Sequence, residues 1–207
     1  MKRGQINDLV AFERELWEEG ISMVAGVDEV GRGALAGPLV AAAVILPKDV
    51  EIPGIADSKK LTAKSRADLF EILREVALSW AWSSSDSKEI DSIGIQKCNI
   101  KAMVSAVGAL SPRPQFILSD HYDLKNLEIP HRGIDKGDSL SRCIAAASIM
   151  AKVLRDRIMQ DLHEICPQYG FKDNKGYGTS MHLEAIEKYG PSEYHRYSFK
   201  NVGQMRF

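Results

Sequence analysis

Four carboxylates stand where short apolar runs end or long ones begin. Asp28 and Glu29 close the run from Ser22, Asp120 closes Gln115 to Ser119, and Asp138 precedes a long amphipathic stretch. Two adjacent carboxylates repel unless they are protonated, exposed or neutralised by a cation. Hard oxygen donors with no histidine or thiolate cluster nearby suit Mg²⁺ or Mn²⁺, whereas zinc recruits nitrogen or sulfur. In a strand Phe116, Leu118 and Asp120 share one face, so Asp120 meets Asp28 if their two strands are neighbours. A competing reading stays open: an Asp at a strand end is commonly a turn residue, and Asp138 stands where it could cap the helix beginning near Leu140. Because adjacent strand residues point to opposite faces, serving one metal cluster from both Asp28 and Glu29 predicts a bend or bulge at Glu29 and Val30.

Next to this pair, Gly31-Arg32-Gly33-Ala34-Leu35-Ala36 fits the degenerate dinucleotide fingerprint G-x-G-x-x-A. The fit is discounted, because Pro38 and a β-like run follow instead of the helix that would hold a pyrophosphate. Glycines here serve a hairpin turn or the close approach of backbone to a ligand.

The elements that position these residues are read from periodicity. Met1 to Gly20 reads as a short polar helix lying on the outside of the domain, Ser22 to Asp28 as a strand, and the uniformly apolar Leu39 to Leu46 as a buried strand pairing with it in a hairpin. Thr62 caps a helix carrying Leu69, Phe70, Leu73 and Val76, and a strand from Leu78 to Ser84 follows. Ile95 to Leu110 is an amphipathic helix ended by Pro112 and Pro114. Leu140, Ile144, Ala147, Ala151, Leu154, Ile158 and Leu162 mark the clearest helix, whose small residues Ala145 to Ser148 permit close approach to a sheet. A glycine-rich loop at Lys175 to Thr179 and a helix near Met181 to Tyr189 complete the chain. A strand hairpin followed by alternating helices and strands predicts an α/β fold, with a mixed central sheet flanked by helices.

The 207 residues, 44% apolar and 27% charged, are those of an ordinary globular chain and exclude extensive disorder. Three cysteines, Cys98, Cys143 and Cys166, have no paired spacing and argue for a reducing compartment. No run nears the roughly 18 apolar residues of a membrane span, and the charged N-terminus is unlike a signal, so a cytoplasmic protein without membrane contact is expected. A net charge of −1 demands no nucleic-acid partner, yet Arg132, Lys136, Arg142, Lys152, Arg155 and Arg157 offer the makings of a basic stripe.

Taken in order, the motifs form a family pattern. Gly26-Val27-Asp28-Glu29-Val30-Gly31-Arg32-Gly33 with Leu35-Ala36-Gly37-Pro38 is similar to the opening signature of the type 2 ribonucleases H, in particular the ribonuclease HII family. Asp57 to Leu61, Asp120, Lys136-Gly137-Asp138 with Ile144 to Asp156, and Lys175-Gly176-Tyr177-Gly178-Thr179 with His182, His195, Arg196 and Ser198-Phe199 resemble the later blocks, so the resemblance spans Gly26 to Phe199. His121 stands where a glycine often follows the third acid, and Asn174 where a histidine is common.

The resemblance implies an RNase H-like fold over 1–207, with a core at about 22–165 and a helical, substrate-binding C-terminal segment at 166–207. It implies hydrolysis of the RNA strand of RNA/DNA hybrids and cutting 5′ of single ribonucleotides embedded in DNA, leaving 3′-hydroxyl and 5′-phosphate ends. Asp28, Glu29, Asp120 and Asp138 then hold two Mg²⁺ or Mn²⁺ ions as the catalytic metal ligands. Gly31, Arg32 and Gly33 resemble the family's reader of the 2′-hydroxyl, and Tyr177 its contact on the DNA side of the junction. Lys59 and Lys152 are candidate phosphate contacts, and His182, His195 and Arg196 either line the groove or lock the C-terminal segment. The related ribonuclease HIII usually carries an N-terminal domain that has no room before Ser22. A non-catalytic duplex-binding module is the alternative; retention of all four carboxylates argues against it. A monomer is expected, and the closing Gln204-Met205-Arg206-Phe207 is weakly similar to a sliding-clamp-binding tail.

Overall fold

Seven consecutive apolar residues can be buried on both faces only where a sheet is covered on both sides, and that is the place of Leu39–Ile45 (β2). The computed structural model describes residues 9–55, 61–124 and 127–203. The beginning of the N-terminal segment, the block at Asp57 to Lys60 with Lys59, and the tail Gln204 to Phe207 lie outside them. The strands are β1 (Val24–Val30), β2, β3 (Ser79–Ser85), β4 (Phe116–Asp120) and β5 (His131–Ile134), and the helices α1 (Ala11–Glu18), α2 (Ala63–Val76), α3 (Ser87–Ile93), α4 (Ile95–Gly108), α5 (Arg142–Ile165), α6 (Phe171–Asn174), α7 (Ser180–Tyr189) and α8 (Lys200–Gly203).

The sheet order is β3-β2-β1-β4-β5. The β1–β2 and β2–β3 pairs are antiparallel, and the β1–β4 and β4–β5 pairs parallel. The two-residue period of β2 separates two cores. Leu39, Ala41, Ala43 and Ile45 join Val27, Ile90, Met103 and Val107 on the α3–α4 side. Val40, Ala42 and Val44 join Phe70, Leu73, Ala146 and Met150 on the α2–α5 side. A separate cluster of Leu35, Ala36, Met159, Tyr169, Phe171 and Ile186 fastens the C-terminal segment to the end of α5.

Local chemistry explains the boundaries. Thr62 accepts a hydrogen bond from the Ser65 amide at 3.1 Å and caps α2 as expected. The polar stretch between β3 and α4 holds α3, whose Asp86 caps the amide of Glu89 at 2.8 Å. An Asp followed three residues later by Glu is a capping-box signal present in the sequence. β5 is short and carries one buried residue, so it gives no periodic signal. The N-terminal helix is anchored more firmly than its polarity implies: Glu13 is fully buried and accepts from Ser141 Oγ at 2.7 Å and from the Cys143 amide at 2.9 Å. No helix among the described residues is long and apolar enough to cross a membrane.

Candidate active site

β1 and β4 run parallel and pair as far as Val27 with Ser119. Asp28 and Asp120 therefore lie at the carboxyl ends of adjacent strands, where a crevice is expected in a sheet of this kind. The expected bulge at Glu29 and Val30 is absent: Asp28, Glu29 and Val30 pair one-to-one with Ala42, Ala41 and Val40. Regular pleating sends Asp28 toward α5, where Ser148 hydrogen-bonds it, and Glu29 toward α4, where Asn99 approaches it. Both carboxylates stand beyond the last β1–β4 pair; Glu29 reaches the cleft, while Asp28 lies buried beside it, close enough for the charges of Glu29 and Asp120 to act on it.

Close packing brings α5 to the strand end. A Cβ on Gly26 would lie 2.0 Å from the carbonyl carbon of Cys143, so only glycine lets the helix start rest on β1. The cap of α5 is Ser141, which accepts from the Ile144 amide at 3.2 Å. Asp138 is thus not the cap; it sits in a 3₁₀ turn, Gly137–Ser139, ahead of the helix. That turn is tied to β4 by the Gly137 amide, which donates to Asp120 Oδ1 at 2.7 Å. Asp138 lines a cleft with Glu29, Val30, Arg66, Ser148, Ile149 and Lys152, about 220 Å³ in volume.

The electrostatics of the cluster are unfavourable for bare carboxylates. Burial, followed by the charge of Glu29, pushes the Asp28 carboxyl well above its ordinary value. Burial, followed by the charge of Asp120, pushes Glu29 up to about 7. Among the described residues no three acidic, histidine or cysteine side chains are drawn tightly enough to enclose a metal by themselves. Glu29 and Asp138 instead line an open cleft, with Asp28 and Asp120 at the strand ends beside it; all four offer oxygen donors, and a divalent cation would relieve their repulsion.

Beside the cluster, the β1–β2 turn carries the glycines. Gly31 has φ +89°, and a Cβ there would fall 2.1 Å from Arg155 Nε; around Gly33 nothing lies within 4 Å. Arg32 hydrogen-bonds Gln96 at 2.9 Å and lies over the Tyr122 ring at 5.5 Å. No helix follows these glycines, in agreement with discounting the dinucleotide fingerprint. The loop of Tyr177 docks directly on this turn. The Leu35 amide donates to Gly176 O at 2.7 Å, and a Cβ on Gly176 would meet Ala36 O at 2.3 Å. The Tyr177 ring is 38% exposed and rests 5.4 Å from the Arg155 guanidinium.

Two fully buried arginines hold these loops. Arg155 donates to the carbonyls of Pro38, Lys175 and Ala36 at 2.9, 2.8 and 3.2 Å. Arg196 donates to Gly37 O, at 3.1 Å from Nε and 2.9 Å from Nη2, and to Arg32 O at 3.0 Å. Arg155, expected in a basic stripe, is instead a buried anchor, and a charged residue in the i, i+4 line between the apolar Ala151 and Met159 is a legible signal of that place. The basic stripe does not form. Arg155 and Arg142 are buried against backbone carbonyls, with Arg142 on those of Pro47, Lys48 and Val50. Arg132 turns to Glu15, Arg157 to Glu71, and Lys152, at the cleft, pairs with Asp156.

Residues 25–202 match the family model described as Ribonuclease HII. The Ribonuclease HII of Acholeplasma laidlawii is 49% identical over 198 residues, covering 96% of this chain and 97% of that one. Among solved structures, the ribonuclease H2 of Pyrococcus horikoshii OT3 is similar with a TM-score of 0.76 at 28% identity, over 88% of this chain and 96% of that one. The RNase HII of Archaeoglobus fulgidus, solved in complex with PCNA, gives a TM-score of 0.73 at 25% identity over 89% and 97%. With a carboxylate-rimmed cleft at the carboxyl ends of β1 and β4 and this breadth of similarity, the chain belongs to the ribonuclease HII family and is a metal-dependent endoribonuclease.

Proposed function

We propose that this endoribonuclease, whose family membership implies action on RNA/DNA hybrids, also cuts 5′ of single ribonucleotides embedded in duplex DNA, leaving 3′-hydroxyl and 5′-phosphate ends. The observation that carries this reading is the junction of two sites: the carboxylate cleft of Glu29 and Asp138, and the glycine turn that begins two residues after Glu29 and is docked against the Tyr177 loop.

Asp28, Glu29, Asp120 and Asp138 would hold two Mg²⁺ or Mn²⁺ ions. Such ions supply a water acidic enough to attack phosphorus at neutral pH and a Lewis acid for the leaving oxygen. The protein's own part is orientation. The Gly137 amide fixes one oxygen of Asp120, and Ser148 fixes Asp28. The turn of Gly31, Arg32 and Gly33 reads the 2′-hydroxyl: Gly31 makes room for the Arg155 side chain beneath the turn, and Gly33, exposed with open space where a Cβ would stand, leaves backbone groups within reach of the sugar; a deoxynucleotide would leave those groups unpaired, a basis for strong discrimination. Arg32 serves as a phosphate contact, and the exposed face of Tyr177 packs on the sugar at the DNA side of the junction. Lys152 and Lys59 are further phosphate contacts. Residues 166–207 act as the substrate-binding segment of a single domain with its core at about 22–165, and the protein works as a monomer.

The test is cleavage of end-labelled duplexes in Mg²⁺ and in Mn²⁺, comparing one embedded ribonucleotide, a continuous hybrid and all-DNA. Metal-dependent cutting immediately 5′ of the single ribonucleotide is expected. Cutting of the continuous hybrid alone would remove the junction role from Gly31 to Gly33 and Tyr177. Retention of all three duplexes without cutting would favour a binding module.

A further inference from the structure

Behind the Tyr177 loop lie two imidazoles that no step of the reaction uses. His182, in the first turn of α7, and His195 are both fully buried. Their Nε2 atoms are 3.0 Å apart. His182 Nδ1 is 2.9 Å from the carbonyl oxygen of Tyr177, and His195 Nδ1 lies 3.0 Å from the Ser192 amide nitrogen and 2.9 Å from Ser192 Oγ. The rings of Tyr169 and Phe171 enclose the pair, with the Tyr169 ring centred 4.7 Å from that of His195.

The two ends of this chain fix the direction of every bond. A backbone amide only donates, so His195 Nδ1 accepts and its proton resides on Nε2. A carbonyl only accepts, so His182 Nδ1 carries a proton and its Nε2 is the acceptor. The order is therefore Ser192 N–H to His195, His195 Nε2–H to His182, and His182 Nδ1–H to Tyr177 O, with both rings neutral. Burial pushes both imidazoles below their ordinary value, which favours this neutral state.

The relay joins the two halves of the proposed junction reader. On one side it grips Tyr177 O, reinforced by Thr179, whose hydroxyl accepts from the His182 amide at 3.3 Å. On the other, His195 bridges Ala36, the Arg196 amide donates to Leu35 O at 2.8 Å, and the Gly37 amide donates to Tyr194 O at 2.9 Å. We propose that His182 and His195 are positioning residues for junction selectivity: in one tautomeric order they set Tyr177 at a fixed distance from the Gly31–Gly33 turn. This rests on the reading of Tyr177 and the glycine turn given above. A pair that only stabilised the core would affect every substrate alike.

Two measurements test it. Long-range ¹H–¹⁵N NMR on the wild-type chain at pH 7 is expected to show His182 as the Nδ1–H tautomer and His195 as the Nε2–H tautomer; the reverse order, a mixture or a charged ring overturns the relay. Then H182L, which removes the donor to Tyr177 O, is expected to lower kcat/KM on an embedded ribonucleotide about tenfold, the loss expected of one hydrogen bond, with much less effect on a continuous hybrid. H182Q, whose amide can still donate, is expected to restore part of the difference. Equal losses on both substrates overturn the positioning role. Y177A run in parallel separates the two ideas. If it lowers the substrate ratio while a folded H182L does not, the relay alone fails; if Y177A leaves the ratio unchanged, the junction reading fails and takes the relay with it. Should H182L not fold, H182Q and the tautomer measurement decide.

Discussion

Asp28 and Glu29 show how far a site can work against its own fold. Burial holds both carboxyls above the ordinary range, helped by the charge of Glu29 at Asp28 and of Asp120 at Glu29, so the ionised cluster costs folding energy that a cation would return. An acid whose folded pKa is raised gives stability that is complete below its unfolded pKa and is lost as pH rises through the folded value. D28N is therefore expected to raise the melting temperature of the metal-free protein at pH 8 while abolishing cutting, and D120N to abolish cutting as well. Melting with and without Mn²⁺ checks this: the wild type should gain from the metal and the Asn variant should gain far less. Near-wild-type turnover of either variant would take that residue out of the metal site.

At the scale of elements, the strand ends and helix starts decide where the chemistry sits. G26A would drive a Cβ into the backbone of Cys143, separating α5 from β1. A loss on the order of 3 kcal/mol or more is expected from such overpacking, read as a lowered urea midpoint; a loss below 1 kcal/mol would mean that α5 shifts without penalty. T62A removes the cap of α2 and is expected to cost about 1 kcal/mol. Much of this level was legible in the sequence. The apolar run of β2, the cap at Thr62 and the periodicity of α5 each predicted their element, because each buries a continuous stripe or face. β5 escaped because it is short and mostly exposed, and α3 because its cap was the only signal. The bulge at Glu29 was expected from period-two geometry alone; what periodicity does not contain is that β4 stops pairing one residue before Asp28, so an unbent strand can present both carboxylates. The pairing of Arg155 and Arg196 with carbonyls distant in sequence, and of His182 with His195, was likewise invisible, since it depends on how loops dock.

For the molecule as a whole, two oppositely directed titrations share one pH window. Glu29, raised from 4.5 to about 7, removes stability from the metal-free protein as pH rises between those values. His195, lowered from 6.5 to about 4, is the converse: its folded pKa lies below the unfolded one, so stability is full above 6.5 and is lost as pH falls toward 4. Each shift corresponds to roughly 3 kcal/mol. Between about pH 4.5 and 6.5 these two contributions therefore oppose one another, and in the metal-free protein E29Q is expected to make the melting temperature rise more steeply with pH than in the wild type. With Mn²⁺ bound the carboxylates stay ionised, so their falling contribution is removed while that of His195 remains, and the melting temperature should climb with pH across that window more steeply than without metal. Parallel curves with and without metal would contradict the assignment of Glu29 to the metal site.

The docking of the C-terminal segment on the glycine turn also has a meaning in time. A chain made from its N-terminus completes the sheet, the carboxylates and α5 by Ile165, yet Arg32 still lacks Arg196, and Leu35 and Ala36 still lack Gly176 and His195, the groups that hold the turn. On the function proposed above, synthesis thus finishes the cutting edge before the part that chooses what to cut. Removal of the segment after α5 would return the protein to that earlier stage, with Met159 uncovered and the Arg155 guanidinium without its Lys175 acceptor.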